Sequence, residues 1–369
     1  MIRVLHVVGG MDRGGAESYI MNLARNINRK KFKFIILTFL DAAGEKYVYE
    51  DELNELGFKI IKIEDTRFTN PWKFINAIGK VIKTEKIDVL HSHIDFMSGI
   101  ALEAGKRTGI NKLIAHSHSI SNVKLTNPIA KIGATFLRKR LNRIATLKLA
   151  CGKDAGDFLF GNENEYIIAK NGTDFEKYKY NSTLREQMRR KFKFSDNDLV
   201  LLTIGRLEAV KNQRFLLEII EQGAQNFRLL IVGDGSLKEE LLQEIADKRI
   251  EDKVFLVGAQ DDVERYYNMA DCFLLPSKFE GVPNVGVEAQ VNQLPCIFSE
   301  HVPREIKLSE KVKFLTTDEK DAAGKWCNEI TKMCNGKERN NRDASQISEE
   351  LREYDIEKTV KQIEEIYNK

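Results

Sequence analysis

The chain has 369 residues, of which 42% are hydrophobic and 31% charged, with a net charge of +3. That length exceeds one comfortable core and predicts two domains of roughly 170 to 200 residues each. The composition is that of an ordinary globular protein and excludes low-complexity and repeat architectures, and no apolar run approaches the roughly 18 residues that a membrane-spanning helix needs.

The opening "MIRVLHVVGG" reads as a buried strand followed by glycines rather than as a secretory leader. The five cysteines (Cys151, Cys272, Cys296, Cys327 and Cys334) are widely spaced and form no CxxC. They read as small buried hydrophobes in a reducing compartment, and a cytoplasmic location is expected. Charge is distributed unevenly. Residues 1–170 hold 27 Lys/Arg against 18 Asp/Glu, a balance of +9, and the remainder holds 31 against 37. The excess suggests an anionic partner for the N-terminal half; a solvated basic face is the alternative.

In chain order, "IRVLHVV" predicts a strand and "GAESYIMNLARNIN" a helix of apolar spacing. Then come "FKFIILTFL" (strand), "YVYEDELNELG" (helix, closed by Gly57), "KIIKI" (strand), "PWKFINAIGKVIKTEK" (helix, Pro71 in its first turn) and "IDVLHSH" (strand). The alternation continues through "KLIAHSHS", a basic helical stretch at 128–148, "TLKLACG" and "EYIIAKNG". A second series starts near residue 198 with "DLVLLTIGRL" and runs through "QRFLLEIIEQG", "FRLLIVGDG", "SLKEELLQEIADKR", "VFLVGA", "DDVERYYNMA", "CFLLPS", "GVEAQVN" and "LPCIFS". Apolar strands alternating with amphipathic helices predict an α/β fold of two doubly wound parallel sheets, each covered on both faces. The boundary falls near "NGTDFEKYKYNS", giving domains at 1–172 and 173–350. The last stretch, 351–369, is a lone amphipathic helix. Open sheets of this kind bind ligands at the carboxyl ends of their strands, here expected to face a shared cleft.

Four clusters sit at such strand ends. "GGMDRGGAES" follows the first strand, where glycines let backbone N–H groups approach an anion at a helix start; it matches neither GxGxxG nor a P-loop. After "LVLLTIG", closed by Gly205, come Arg206 and Lys211, two cations five apart that suit a diphosphate. "VGDGS" (232–236) is another strand-to-helix turn, read first as structural. In "SKFEGVPNVGVEAQ", Glu280 lies in a loop and Glu288 eight residues on, inside the next helix. If a sugar nucleotide sets its phosphates toward Arg206 and Lys211, one carboxylate can meet sugar hydroxyls and the other the ribose diol. His91 and His93 end one strand, His116 and His118 another. Their alternation resembles metal ligation, but no acid or cysteine is placed to complete a site, so cleft-lining histidines bonded to sugar or phosphate are expected. His6 and His301 read as single and structural.

In this order and spacing, "GGMDRGGAE", "DVLHSH", "NGTD", "GRLEAVKN", "VGDGSLKEEL", "YNMADCFLLPS" and "EGVPNVGVEAQ" resemble the retaining glycosyltransferases of family 4 with the GT-B fold, over about 300 residues. The branch most similar builds bacterial capsular and exopolysaccharides. The resemblance implies that Glu280 lies beside a donor hexose and Glu288 at the ribose. It implies that Arg206 and Lys211 grip the diphosphate, that Val257 and Gly258 face the base, and that Gly14 and Gly15 approach the phosphates or the acceptor. It also implies that His93 is the cleft histidine near the donor sugar, with His116 its neighbour, and that the last helix crosses back to brace the N-terminal domain. The donor is expected to be a UDP-sugar and the acceptor a saccharide or a polyprenyl-diphosphate-linked one.

Where the family writes E-G-F-G, this chain has "EGVP". Pro283 has no N–H to donate, which leaves Asn284, Val285 and Gly286 as candidate amide donors at the helix start. No metal and no cofactor is expected, because cations and helix N-termini can stabilise a leaving diphosphate. The only D-x-D, Asp196-Asn197-Asp198, precedes a strand and reads as a turn. The segment 128–148 mixes apolar residues with six Lys/Arg, so peripheral contact with an anionic membrane, on its inner face, is an expectation alongside an ordinary amphipathic helix. A nucleotide-sugar 2-epimerase on the same fold and a non-catalytic nucleotide-sugar binder are the alternative functions. No nucleic-acid module accompanies the basic charge.

Overall fold

The computed structural model describes residues 1–40, 46–118, 128–334, 342 and 347–369, without the side chains of 128–132. It divides into two compact units, Met1–Gly172 with Tyr354–Lys369, and Thr173–Glu353. The sequence pattern places the second crossing at 351. The structure leaves the short helix Glu349–Arg352 in the second unit and returns the chain to the first at Tyr354.

In the first unit the described residues form a seven-stranded parallel sheet. Its strands are β1 (Ile2–Val7), β2 (Phe32–Phe39), β3 (Lys59–Ile63), β4 (Val89–Ser92), β5 (Lys112–Ser117), β6 (Leu147–Ala150) and β7 (Ile167–Ile168), in the spatial order β3-β2-β1-β4-β5-β6-β7. The order reverses between β1 and β4, whose carboxyl ends form the topological switch point where open α/β sheets take ligands. One face buries Leu5, Leu37, Leu90 and Ala115 against helices Pro71–Glu85 and Ser98–Thr108. The other buries Val4, Phe34, Val89 and Ile114 beneath helices Gly15–Asn26 and Ile356–Asn368. The C-terminal helix therefore packs on the N-terminal sheet, with Ile363 and Tyr367 in its core.

Local chemistry sets several boundaries. Asn70 caps helix Pro71–Glu85 by accepting from the Lys73 N–H (3.0 Å), and Pro71 occupies the first turn, where its missing N–H costs nothing. The basic stretch expected as one helix over 128–148 ends at Ile144 and gives way to β6 at Leu147. There Thr146 accepts from the Leu113 N–H (2.9 Å), and the Thr146 N–H donates to the Leu113 carbonyl, which starts the β5–β6 pairing.

The second unit carries a six-stranded parallel sheet among its described residues. Its strands are β8 (Leu199–Ile204), β9 (Phe227–Val232), β10 (Val254–Gly258), β11 (Cys272–Leu275), β12 (Cys296–Ser299) and β13 (Val312–Leu315), in the order β10-β9-β8-β11-β12-β13. Here the switch point lies between β8 and β11. Helices Gln213–Gln222, Lys238–Asp247 and Ala322–Met333 bury Phe215, Leu241 and Trp326 against one face. Asp271, fully buried just before β11, accepts from Arg185 (2.5 Å), Arg189 (3.2 Å) and the Val200 N–H (2.7 Å). Asp198 of the D-x-D accepts from the Ser195 N–H (2.7 Å) and pairs with Arg228 (2.8 Å), as a turn before a strand would. All five cysteines are free thiols, and Cys151, Cys272, Cys296 and Cys334 are buried.

Candidate active site

Loops at the carboxyl ends of β8 and β11 bring two of the candidate residues together. The chain leaves β8 through Gly205 and Arg206 and makes a short 3-10 turn, Ala209–Lys211, closed by Asn212 in the left-handed region (φ 55°). The chain leaves β11 through Pro276 and Ser277. The Lys278 N–H donates to the Val210 carbonyl (2.8 Å) and the Asn212 amide to the Pro276 carbonyl (3.3 Å), which ties the two loops. Across that tie Lys211 Nζ donates to both oxygens of Glu280, at 2.7 and 2.9 Å. The Ser277 hydroxyl donates to Glu280 Oε1 (2.6 Å), and Ser299 in turn donates to the Ser277 carbonyl. Glu280 is 8% exposed, so this charge-assisted pair is held where water competes weakly.

Arg206 stands apart from that pair. Its side chain is exposed and sits 3.0 Å from Glu208, while its carbonyl accepts from the Gln213 amide (2.9 Å). Glu288 has a different partner from Glu280: the Tyr267 hydroxyl donates to Glu288 Oε2 (2.8 Å). Burial pushes the Glu288 carboxyl above its ordinary pKa, against the pull of that hydrogen bond. Of the three amides expected at the start of helix Asn284–Val291, that of Gly286 is turned onto the Pro283 carbonyl (3.0 Å). The Val257 carbonyl accepts from Gln260 (2.8 Å) and the Gly258 carbonyl from the Gly233 N–H (2.9 Å). The "VGDGS" turn has a steric reason for its first glycine. Gly233 has φ 146°, and a Cβ there would lie 1.9 Å from the Gly205 carbonyl oxygen, so the turn fixes the start of the Arg206 loop.

In the first unit, Gly14 precedes helix Gly15–Asn26 in an extended conformation, and a Cβ on Gly15 would meet open space. Five of the six histidines form one cluster, and it includes His6, which the sequence alone presents as single. β1 and β4 pair with His6 opposite His91, so the two side chains share a face. His93 and His116 extend that face, with His118 beside them. Two hydrogen-bonded runs result. His6 Nδ1 meets His93 Nε2 (3.0 Å), and His93 Nδ1 meets His118 Nε2 (2.7 Å). The Tyr367 hydroxyl meets His91 Nδ1 (2.7 Å), and His91 Nε2 meets His116 Nδ1 (3.2 Å). Tyr19 packs edge-on against His116. Burial holds all five imidazoles neutral, with His6 and His118 lowered to about 3. Both ring nitrogens of His93 are thus committed to other histidines. The triplets His6–His91–His93 and His93–His116–His118 keep their ring nitrogens within 4.8 Å. Among the described residues of this unit, they are the ones that could hold a borderline metal, at the cost of both hydrogen-bonded runs. His301 lies elsewhere, exposed, 3.0 Å from Asp318.

Sequence reasoning missed His6, Ser277, Tyr267 and Tyr367. Ser277 lies three residues from Glu280, a candidate it did name. His6 and Tyr367 needed the strand order and the return of the last helix.

Residues 13–159 match the model of the Glycosyltransferase Family 4 domain and residues 185–347 that of the Glycosyl transferases group 1 domain. The chain is 30% identical over 312 residues to the putative glycosyltransferase EpsF of Bacillus subtilis, covering 82% of this chain and 80% of that one. It is 26% identical to the capsular polysaccharide biosynthesis glycosyltransferase CapH of Staphylococcus aureus, over 100% of this chain and 99% of that one. The crystal structure of Anabaena HepE in complex with UDP and glucose superposes with a TM-score of 0.80 at 19% identity, covering both chains entirely. With two parallel α/β sheets, a switch point in each and this similarity along the whole chain, the protein belongs to the family 4 glycosyltransferases and has their GT-B fold of two Rossmann-like domains.

Proposed function

We propose that this protein transfers a hexose from a UDP-sugar to a saccharide or polyprenyl-diphosphate-linked acceptor in cell-surface polysaccharide synthesis, with retention of anomeric configuration. The observation that carries this reading is the Lys211–Glu280 pair at the β8/β11 switch point, with Arg206 on the same loop. An ammonium already aligned on a carboxylate can turn to a diphosphate oxygen when a donor arrives, which releases Glu280 to accept from a sugar hydroxyl. Arg206 and Lys211 supply positive charge to the leaving diphosphate, so the reaction is read as metal-independent. Glu288 would meet the ribose, Val257 and Gly258 the base, Asn284 and Val285 the donor through the start of their helix, and Gly14 and Gly15 the phosphates or acceptor. The UDP and glucose bound by HepE and the capsular role in the name of CapH support the donor and the setting.

No helix among the described residues is long and apolar enough to cross a membrane. Helix Pro128–Ile144 carries an exposed Phe136 beside Arg138 and Lys139, which supports peripheral contact with an anionic membrane surface. The test is a thermal-shift titration with UDP, GDP and ADP, in EDTA and again with magnesium. Stabilisation by UDP in EDTA is expected, since a ligand of the folded state raises Tm with its concentration. No shift with any nucleotide would remove the donor site, and a shift that needs magnesium would remove metal independence.

A further inference from the structure

Two polar groups in the histidine cluster are buried with nothing to bond to. His116 is fully buried, and its Nε2 has no hydrogen-bond partner among the described residues. The Tyr19 hydroxyl is in the same state, and the Tyr19 ring lies against those of His116 and His118, at 4.8 and 5.0 Å between centroids. Unmet polar groups are costly away from water, and two together mark a place that a ligand completes. The donor set there is all imidazole, which suits zinc, nickel or copper rather than the oxygen-seeking magnesium and calcium.

We propose that His93, His116 and His118 form a binding site for a borderline divalent transition-metal ion such as zinc. β4 and β5 pair with Ser92 opposite Ala115, so His93 leaves β4 beside His116, and His118 follows two residues on, on the same face. One ring nitrogen from each histidine lies within 4.8 Å of the other two. Zinc bound at about 2.0–2.1 Å sets tetrahedral ligands about 3.3 Å apart, so the rings close by at most about 1.5 Å. The His116 and His118 rings stack at 4.0 Å, and rotation about χ2, a soft torsion in histidine, turns their edges to the ion. No acid or cysteine is needed, because the third ligand is another histidine. A three-histidine site leaves a fourth position for water, beside the Tyr19 hydroxyl.

The other two histidines hold the ligands from behind. His6 Nδ1 meets His93 Nε2 (3.0 Å), which leaves His93 Nδ1 for the ion. His91 Nε2 meets His116 Nδ1 (3.2 Å), which leaves the unmet Nε2, and the Tyr367 hydroxyl anchors His91 in turn (2.7 Å). Metal-bound histidines almost always have such a partner, which fixes the tautomer and the ring orientation. Filling both triplets would break both runs; an ion at this one gives up a single bond, His93 Nδ1 to His118 Nε2. His118 is partly exposed and gives the ion a way in. The ion ties the ends of β4 and β5 together and stands apart from the diphosphate chemistry assigned to Arg206 and Lys211.

The probes are zinc and cobalt(II), titrated into protein stripped with EDTA and dialysed, in wild type, His118→Ala, His116→Phe, His6→Phe and His301→Ala. The last is the control for the exposed triplet Glu300, His301 and Asp318. Wild type is expected to bind about one equivalent of cobalt with the strong visible absorption of a four-coordinate site, and to exchange it for zinc. Zinc at about a hundred times its Kd is expected to raise Tm by about 5–10 °C, and magnesium to leave it unchanged. His118→Ala and His116→Phe are expected to weaken zinc by about a hundredfold or more. His6→Phe keeps all three ligands and is expected to weaken it by about ten- to a hundredfold, with His301→Ala unchanged. His118 lies at the margin of the cluster, so its variant keeps the test open if His116→Phe fails to fold. A wild type that binds neither ion would overturn the proposal, and so would zinc binding that survives His118→Ala and is lost in His301→Ala.

Discussion

Lys211 donates to both carboxylate oxygens of Glu280, at 2.7 and 2.9 Å, from a loop that follows a different strand. The two residues are 69 apart in sequence and meet because β8 and β11 are neighbours at the point where strand order reverses. A cation and an anion held together at a ligand-binding edge satisfy each other while the site is empty. A donor with its own anionic and hydroxyl groups can replace both halves of that contact.

Glu280→Gln therefore separates binding from turnover. It keeps the shape of the loop and frees the Lys211 ammonium, so UDP affinity is expected to stay within about threefold or to rise, while kcat falls by about a hundredfold or more. Lys211→Ala is expected to weaken UDP by about tenfold or more, the loss of a charge-assisted hydrogen bond. Calorimetric UDP titration beside a transfer assay checks both. Equal turnover in Glu280→Gln would take this glutamate out of the reaction.

Gly233→Ala tests whether the "VGDGS" turn serves structure. The added Cβ would fall 1.9 Å from the Gly205 carbonyl oxygen, and neither backbone can yield without moving the Arg206 loop. The expected cost is about 1–3 kcal/mol or more, a Tm lower by about 3–10 °C, with UDP binding weakened in parallel. An unchanged melting curve would show that the two loops separate easily.

The sequence shows the alternating elements, the strand-end loops and the E-x7-E spacing, because each depends on local pattern. Glycine pairs after a strand and a basic pair after "LVLLTIG" are visible without the fold. The partnership of His6 with His93 is not, because it depends on β1 lying next to β4 across the 81 residues between Val7 and Val89 and on a register that pairs His6 with His91. Nor can the sequence show that both nitrogens of His93 are already bonded. The same holds for Tyr367, which reaches His91 only because the last helix packs on the first sheet.

Asp271 sits fully buried where β11 begins and is satisfied by Arg185, Arg189 and the Val200 N–H. Asp271→Asn keeps the size of the side chain but leaves two buried guanidinium groups without their counter-charge. Removing one partner of a buried pair typically costs about 3–5 kcal/mol, and the loss should appear in chemical denaturation of the second unit. A cost below about 1 kcal/mol, the range of surface pairs, would show that the backbone carbonyls of Met269 and Ala270, which also accept from Arg185, hold the arginines unaided.

The five neutral histidines make stability depend on pH in a definite direction. Each has a folded pKa below its ordinary value, with His6 and His118 lowered to about 3, whereas in the unfolded chain a histidine takes up its proton near pH 6.5. As pH falls through 6.5 the unfolded state gains protons that the folded state refuses, so stability is full above that pH and is lost toward acid, by up to about 1.4 kcal/mol per pH unit for each histidine. Asp95 and Glu288, raised by burial, act in the opposite sense and offset part of the slope. The paired carboxylates Glu50, Glu85 and Glu103, lowered by their cations, add their loss only below the carboxylate range. Between pH 6.5 and 5 the histidines therefore dominate. His6→Phe, packed where His6 already meets the Phe34 ring edge-on at 4.4 Å, removes one of the five. Denaturation at several pH values is expected to show the acid slope reduced by about one proton, or about 1.4 kcal/mol per pH unit, whatever the change in absolute stability. An unchanged slope would mean that His6 protonates in the folded protein as readily as in the unfolded chain.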